Sequence, residues 1–563
     1  MHTPLIECVP NFSEGRDAAV IKQITDAIER VEGVKLLDVD PGKATNRTVV
    51  TIVGAPEAIV EAAFQGIKKA AELIDMSSHK GEHPRMGATD VCPLIPISGI
   101  SMEETVEYAK KLAKRVGEEL EIPVYLYENA ASSPERRNLA TIRAGEYEGF
   151  ATKILQDEWK PDFGKAVFNV KSGATVIGAR DFLVAYNVNL NTTSTRRANS
   201  IAFDVREAGR VKRTGDPITG PVEKDAQGNP VSIPGSLKSV KAIGWFIEEY
   251  GIAQISMNLT NLNVTPLHMA FDEVCKKAEA RGMRVTGSEL VGLVPLKCLT
   301  DAGRYFLEKQ QRSAGLSEAE LIQTAIRSMG LDELAPFDPA KKIIEYQLHN
   351  PELEKLQALS IRQFADETAS ESPAPGGGSV AALAGTLAAS LGTMVANLSS
   401  HKRGWDDRWN YFSDWAIKGQ SLKAELLQLI DEDTRSFNRI MESFNLPKSN
   451  DAEKKLRSAA IQEATLYATE VPLRTMKSSF GTFNLLKEMI LNGNPNSVTD
   501  AGVGVLCART AVYGAYLNIL VNASGLKDAA IKEKMITEAK AIYQEVTRIE
   551  PELLAIVETK AMG

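Results

Sequence analysis

"SVAALAGTLAASLGTMVANL" (residues 379–398) carries no charge from end to end, and its reading decides the fold. Its length matches the roughly 20 residues that cross a bilayer. Its composition does not, because Ala, Gly, Ser and Thr dominate where a lipid-facing helix carries larger apolar side chains. Small residues let helix backbones approach closely, so the stretch is expected to be a buried helix inside a bundle. Upstream, "ESPAPGGGS" (371–379) marks the entry: Pro373 and Pro375 stop the preceding element, and Ser379 is placed to cap the new helix. From residue 360 onward only helical periodicities occur, so 360–563 reads as a separate all-α domain.

The front of the chain alternates instead. "LIECVPNF", "KLLDVD", "RTVVTIVG", "VCPLIPI" and "PVYLY" read as strands, while "DAAVIKQITDAIERV", "PEAIVEAAFQGIKKAAELID" and "SMEETVEYAKKLAKRVGEEL" have helical spacing. The order β-α-β-β-α-β-α-β begins like a ferredoxin-type split βαβ unit. Residues 174–310 run through a similar order, which suggests two related α/β subdomains with mixed sheets. "DEWKPDFGKAVFNVKSGATVIGAR" (157–180) reads as a connecting segment that lines a cleft, and the proline-rich 213–236 as a long loop. The expected division is 1–175, 176–312, a tether with short helices over 313–359, and 360–563.

At 563 residues several cores are required, and 44% hydrophobic with 25% charged residues is the composition of a folded globular protein. A formal charge of −8 argues against a general nucleic-acid or anionic-membrane surface. The cysteines at 8, 92, 275, 298 and 507 are odd in number and form no CxxC pair, so unpaired thiols in a reducing, cytoplasmic compartment are expected. "MHTPLIECVPNF" has no basic segment followed by an apolar run and does not read as a signal peptide.

Three polar stretches at strand ends are candidates for a shared pocket: "PNFSEGRD" (10–17), "PGKATNRT" (41–48) and "SSHKGEHPRMGATD" (77–90). They bring Asn11, Asn46, Arg47, His79, His83 and Arg85. His79 and His83 are four apart, but Gly81 and Pro84 oppose a helix through them, and HKGEH is not HExxH, so no metal site is expected. Solvated turns and a catalytic loop both remain open readings of these residues. In the bundle, Leu422, Leu426, Leu429, Ile430, Phe437, Ile440, Met441 and Phe444 form a stripe at helical spacing with Asp433 near its middle, while Asp431 and Glu432 point elsewhere. A carboxylate there is either the partner of a cation from another helix or an acid/base group. Gly376, Gly377 and Gly378 form a candidate anion cradle without the lysine of a Walker loop. Ser497 and Asp500 have capping-box spacing, which leaves Asp500 a secondary candidate.

Longer runs carry a resemblance. "CVPNFSEG", "DVDPGKATNRTVVTIVG", "IDMSSHKGEHPRMGATDVCPLIPI", "IRAGEYEG" and "LVGLVPL" resemble the formiminotransferase domain of the formimidoyltransferase-cyclodeaminase family, and "SPAPGGGSVAALAGTLAASLGTMVANL" with "LIDEDTRSFNRIM" resembles its cyclodeaminase domain. The resemblance implies transfer of a formimino group from N-formimino-L-glutamate to tetrahydrofolate, then closure to 5,10-methenyltetrahydrofolate with loss of ammonia. It implies tetrahydrofolate as carrier, no metal or nucleotide, and a homo-oligomer. By the same resemblance His83 is the transferase's catalytic histidine and Asp433 the cyclodeaminase's catalytic aspartate. Folate contacts are implied at Gly164, Lys165, Ala166, Val167, Phe168, Asn169, Val170, Lys171, Ser172 and Gly173, and at Gly235, Ser236 and Leu237. Arg85 and Asn46 are candidates for holding substrate carboxylates or the tetrahedral intermediate. A formiminotransferase fused to a methenyltetrahydrofolate cyclohydrolase, or a degenerate folate-binding scaffold, are the alternatives.

Overall fold

Proline has no N–H to give to a sheet, and around Pro10 the first apolar run divides into two short strands, β1 (Leu5–Cys8) and β2 (Asn11–Phe12). A computed structural model describes residues 4–43, 45–81, 84–215, 219–348 and 350–562. After β2 come α1 (Ala18–Glu29), β3 (Val34–Gly42), β4 (Arg47–Gly54), α2 (Pro56–Leu73), β5 (Thr89–Ser98), α3 (Met102–Glu119) and β6 (Val124–Glu128). The helices start where local chemistry dictates. Asp17 accepts from the N–H groups of Ala19 and Val20, Pro56 occupies the first turn of α2, and Ser101 with Glu104 closes a capping box on α3. Each such cap is worth about 1 kcal/mol.

β1 and β2 lie along one line between β4 and β5, both antiparallel. The first sheet therefore runs β3, β4, β1 with β2, then β5, and beyond β5 it continues with β7 (Thr175–Ala179) and β6. β7 corrects the reading of 157–180 as a connection throughout: it is parallel to both β5 and β6 and every residue of it is buried. A strand buried on both faces shows no alternation, so periodicity does not announce it. Ile6, Cys8, Ile52, Cys92, Leu94 and Ile177 pack under α1–α3 to form the core of this layer.

A second sheet follows from β8 (Val184–Leu190), α4 (Thr195–Val205), β9 (Val240–Ile247), β10 (Ile252–Leu259), α5 (Leu267–Glu279) and β11 (Val285–Val291). Its order is β9-β10-β8-β11, all antiparallel. Counted within each βαββαβ repeat, both sheets place their strands 2-3-1-4, the ferredoxin-like arrangement expected from element order. The described part of 213–234 is not irregular: Arg210–Val211 pairs with Ser232–Ile233, and Val231 N donates to Glu223 O, making a small β-arm.

Contacts divide the chain into two units, residues 1–298 with 329–348, and residues 299–328 with 349–563. After β11 the chain forms α6 (Leu296–Lys309) and α7 (Glu318–Met329), and in the second unit α8 (Gly377–Ser400), α9 (Trp409–Phe444), α10 (Asp451–Asn492), α11 (Val498–Ala523) and α12 (Ala529–Met562) form the bundle. α8 and the Pro495–Ala523 stretch are long and apolar enough to span a membrane, but 61% of the most apolar window of α8 is buried against its neighbours. Gly378, Gly385 and Gly392 recur on α8 at seven-residue steps. A Cβ on Gly385 would lie 2.5 Å from Ser479 Oγ, and one on Gly392 2.7 Å from Leu485 Cδ2, so adjoining helices press against its backbone. Gly376, not Ser379, is the N-cap of α8.

Candidate active sites

In the first unit three loops lock together backbone to backbone. A Cβ on Gly15 would meet Arg47 N at 2.6 Å, and Gly81 lies against Thr45 and Asn46. Asn46, at φ +48°, accepts from Gly15 N (3.0 Å) through Oδ1 and donates to Lys80 O (3.0 Å) through Nδ2. Its carbonyl accepts from His79 Nε2 (3.0 Å), which fixes that nitrogen as the protonated one. His79 Nδ1 in turn accepts from Arg85 Nε (3.3 Å). Burial, aided by the Arg85 charge and opposed by the bond to Asn46, holds His79 below its ordinary value.

The Arg85 guanidinium is fully engaged. It donates to Glu146 (2.9 Å), to both oxygens of Glu148 (3.0 and 2.6 Å) and to His79 O (3.2 Å). Asp90, buried behind it, accepts from Met86 N (3.0 Å) and pairs with Arg143. Glu146, Glu148 and Arg143 all belong to "RAGEYEG" (143–149), so one short segment clamps the loop at Arg85 and again at Asp90, both after Pro84. His83 and Glu82 lie outside the described residues.

Of the sequence candidates, Asn46 and Arg85 thus hold the loops together, whereas Asn11 and Arg47 face a cavity of about 890 Å³. Asn11 Nδ2 donates to Val9 O (2.8 Å), and its buried Oδ1 has no partner among the described residues; the same is true of Arg47 Nε. Glu7, Tyr127, Arg143 and Arg180 line this cavity, with Ala185 and Asn258 from the second sheet. The volume suits a folate-sized ligand. Glu7 is not among the sequence candidates, although an acid within the apolar strand "LIEC" is a signal. It is 3% exposed, and burial raises it to about 7 against the pull of Arg180.

The 164–173 segment reaches the loop cluster at its far end. Ser172 O accepts from Ala88 N (2.8 Å), Lys171 O from Met76 N (2.9 Å), and Gly173, at φ +67°, bridges to Gly87. Phe168 packs on Tyr147 and Phe150, while Gly164, Lys165, Ala166, Val167 and Val170 are exposed and Asn169 Oδ1 caps Ser172 N. Gly235, Ser236 and Leu237 lie elsewhere, against the end of α4, where Ser236 N donates to Asp204 O and Leu237 N to Val205 O. They line neither the cavity nor the loop cluster.

In the bundle, Asp433 stands at the N-terminus of α8. Ser379 Oγ donates to its Oδ2 (3.2 Å) and to Ile430 O (2.9 Å), and no Lys or Arg pairs with it among the described residues. Burial raises Asp433 above the ordinary carboxylate range, against the lowering effect of Ser379. A Cβ on Gly378 would overlap the Asp433 carboxyl, reaching 2.5 Å from Cγ. Asp433, Gly376, Gly377, Gly378, Phe437 and Ile440 border a cavity of about 150 Å³, closed on the far side by Asn518 and Asn522 of α11.

Asp431 does point elsewhere, into a buried site where its carboxylate accepts from Leu356 N (2.7 Å) and Gln357 N (3.1 Å). Two expectations about this region are corrected. Phe437, Met441 and Phe444 leave the buried stripe and are exposed. Ser497 makes no side-chain cap, and Asp500 sits in the first turn of α11, about 27 Å along the helix from Asn518 at ~1.5 Å per residue. Glu432 does point away from Asp433, where it binds Tyr467 OH (2.8 Å) and Arg474 (2.5 Å).

Family models cover both units in order: the formiminotransferase domain's N-terminal subdomain over 5–180, the formiminotransferase domain over 185–349, and formiminotransferase-cyclodeaminase over 360–541. Formimidoyltransferase-cyclodeaminase of Gallus gallus is 42% identical over 99% of both chains. The chain belongs to the formimidoyltransferase-cyclodeaminase family. Two shorter relatives of this family member each match part of the chain. Glutamate formimidoyltransferase of Thermoplasma acidophilum is 46% identical over 57% of this chain and 96% of its own. Methenyltetrahydrofolate cyclohydrolase of Methylorubrum extorquens is 35% identical over 36% of this chain and 97% of its own.

Proposed function

We propose that the chain is a bifunctional folate enzyme: a glutamate formimidoyltransferase, and a formimidoyltetrahydrofolate cyclodeaminase acting as an ammonia lyase. The first activity moves the formimino group of N-formimino-L-glutamate to N5 of tetrahydrofolate. The second closes 5-formiminotetrahydrofolate to 5,10-methenyltetrahydrofolate and releases ammonia. The observation that carries the reading is Asp433, a half-buried carboxyl without a cationic partner among the described residues, facing a small cavity at a glycine-built helix start. An acid held above its ordinary range exchanges protons near neutral pH.

In the transferase half, N5 loses a proton as it attacks and the departing glutamate nitrogen gains one. An imidazole at position 83 serves both steps, with its loop held by the Arg85 and Asp90 clamps. Because Arg85 and Asn46 are engaged structurally, Arg47 and Asn11 are the better placed of the four to meet the carboxylates and amide groups of ligands in the larger cavity. Residues 164–173 carry the folate contacts in this reading, with 235–237 as a separate contribution.

The chain works as a cytoplasmic homo-oligomer in the same reading. Val380, Leu387 and Met394 recur every seven residues on α8, with Val503, Leu506 and Leu517 on α11, as exposed apolar rows fitted to a second copy. The cyclohydrolase alternative for the bundle is favoured by the Methylorubrum extorquens relative. A coupled assay separates these: His83→Ala abolishes transfer and leaves cyclisation of supplied 5-formiminotetrahydrofolate intact, and Asp433→Asn does the reverse. Loss of both activities from either substitution in folded protein refutes the division, and methenyl hydrolysis without ammonia release selects the cyclohydrolase.

A further inference from the structure

Strand alternation puts Ile6 and Cys8 of β1 in the core under α1–α3 and turns Glu7 and Val9 to the opposite face, which floors the cavity of about 890 Å³. Glu7 is 3% exposed, yet its carboxylate has no hydrogen bond or ion pair among the described residues. Arg180 draws its value down without pairing with it, and donates through Nη1 to Asp181 O (2.9 Å). A buried carboxylate left without donors is expensive, so this one calls for N–H groups that the chain does not supply. The floor also has a direction. Beyond Val9 the strand line reaches Asn11 and then Ser13, which binds the 77–90 loop at Gly87 O (2.8 Å) and Ala88 O (2.9 Å). Asn11 lies about 13 Å from Glu7 at ~3.3 Å per residue. One end of the floor therefore meets the loop cluster and the other ends in an unpartnered acid, with Val9 and Pro93 between them.

We propose that Glu7 binds the pterin of tetrahydrofolate, accepting from its N3–H and 2-amino group, and so aims N5 at the loop that carries position 83. This rests on the transferase reading above. Of the groups that the two substrates bring, the carboxylates of formiminoglutamate and of the folate tail are repelled by an acid. The pyrimidine edge of the pterin instead offers two parallel N–H donors, which a single carboxylate accepts in bidentate fashion. In that ring the exocyclic amino nitrogen, C2, C4a and N5 fall on one axis. A carboxylate at the amino end thus leaves N5 pointing the opposite way, along the floor toward the loop cluster. Val9 and Pro93 meet the face of the ring without competing for its hydrogen bonds, and Arg47 and Asn11 stay available for the carboxylates of formiminoglutamate at the far end. The formimino group also carries N–H, but its carbon must reach N5 at the loop cluster, and Glu7 stands at the other end of the floor.

The test is formimino transfer by the full-length protein, with tetrahydrofolate as acceptor or its analogue bearing methyl in place of the 2-amino group. Wild type is expected to favour tetrahydrofolate by about tenfold or more in kcat/KM. In Glu7→Gln one amide oxygen replaces two carboxylate oxygens: the KM for tetrahydrofolate rises about 10- to 100-fold, the KM for formiminoglutamate stays within about twofold, and the preference over the analogue falls toward one. Glu7→Asp keeps both oxygens on a shorter side chain and retains the preference. Thermal unfolding, and cyclisation of supplied 5-formiminotetrahydrofolate, check that the variants are folded. A wild type that uses the analogue as well as tetrahydrofolate overturns the proposal without any variant. So does a folded Glu7→Gln whose preference is unchanged, or whose KM rises for formiminoglutamate instead. A wild type that transfers no formimino group to tetrahydrofolate overturns the transferase reading itself.

Discussion

Gly378 presses its Cα against the carboxyl of Asp433 so closely that a single added methyl would occupy the carboxylate's place. Gly378→Ala is therefore expected to abolish cyclisation, by about 100-fold or more, without costing helix stability, since Ala is the better helix former. Transferase activity should be unchanged. Measuring ammonia release and formimino transfer on one preparation checks this, and equal losses in both would count against it.

Asp433 also sets a stability trend. Its folded value is raised by burial, so its favourable contribution is complete below the unfolded value of about 3.9 and is lost as pH rises through the folded value. Asp433→Asn removes that loss. The variant should melt above wild type at neutral and alkaline pH, with the gap closing in acid, as read by thermal scans between pH 4 and 8. Parallel curves would show that ionised Asp433 carries no such cost.

Glu7 gives a second titration, in the other unit. With its folded value near 7 and an ordinary value of 4.5, stability on the order of 3 kcal/mol is present in acid and disappears as pH rises through 7. Glu7→Gln should abolish this fall, so wild type loses melting temperature relative to the variant between pH 5 and 8.5. Calorimetry reads it directly, and a constant difference would indicate that Glu7 keeps one protonation state.

Asp90 is 1% exposed on its side chain and depends on Arg143. Arg143→Leu strands that charge and should cost about 3 kcal/mol in urea unfolding. Because the same segment supplies Glu146 and Glu148 to Arg85, formimino transfer should fall with it while cyclisation survives. A stability change below about 0.5 kcal/mol would overturn this expectation.

The α/β order of the front half is readable because its sheet is covered on one side, so amphipathic spacing survives in α1–α3 and most strands. β7 escapes because burial on both faces erases alternation and Gly173 and Gly178 mimic a loop. Asp433 emerges from helical phase alone, since its environment is made by its own helix and the adjacent start of α8. Asp431, two residues earlier, points elsewhere as the same phase requires, but its burial is satisfied by Leu356 and Gln357, whose approach no local pattern encodes. Asn518 and Asn522 are silent in the sequence because two amides one turn apart in an apolar helix become a cavity wall only through what stands opposite them.

The seven-residue glycine series on α8 has a mechanical outcome. With Gly385 seated on Ser479 and Gly392 on Leu485, sliding the helix by one residue, about 1.5 Å, would swing side chains into the neighbouring backbones. The helix behaves as a notched rod that can rest in one slot, and Gly378 at its tip, set against the Asp433 carboxyl of α9, inherits that axial precision from contacts two and four turns away.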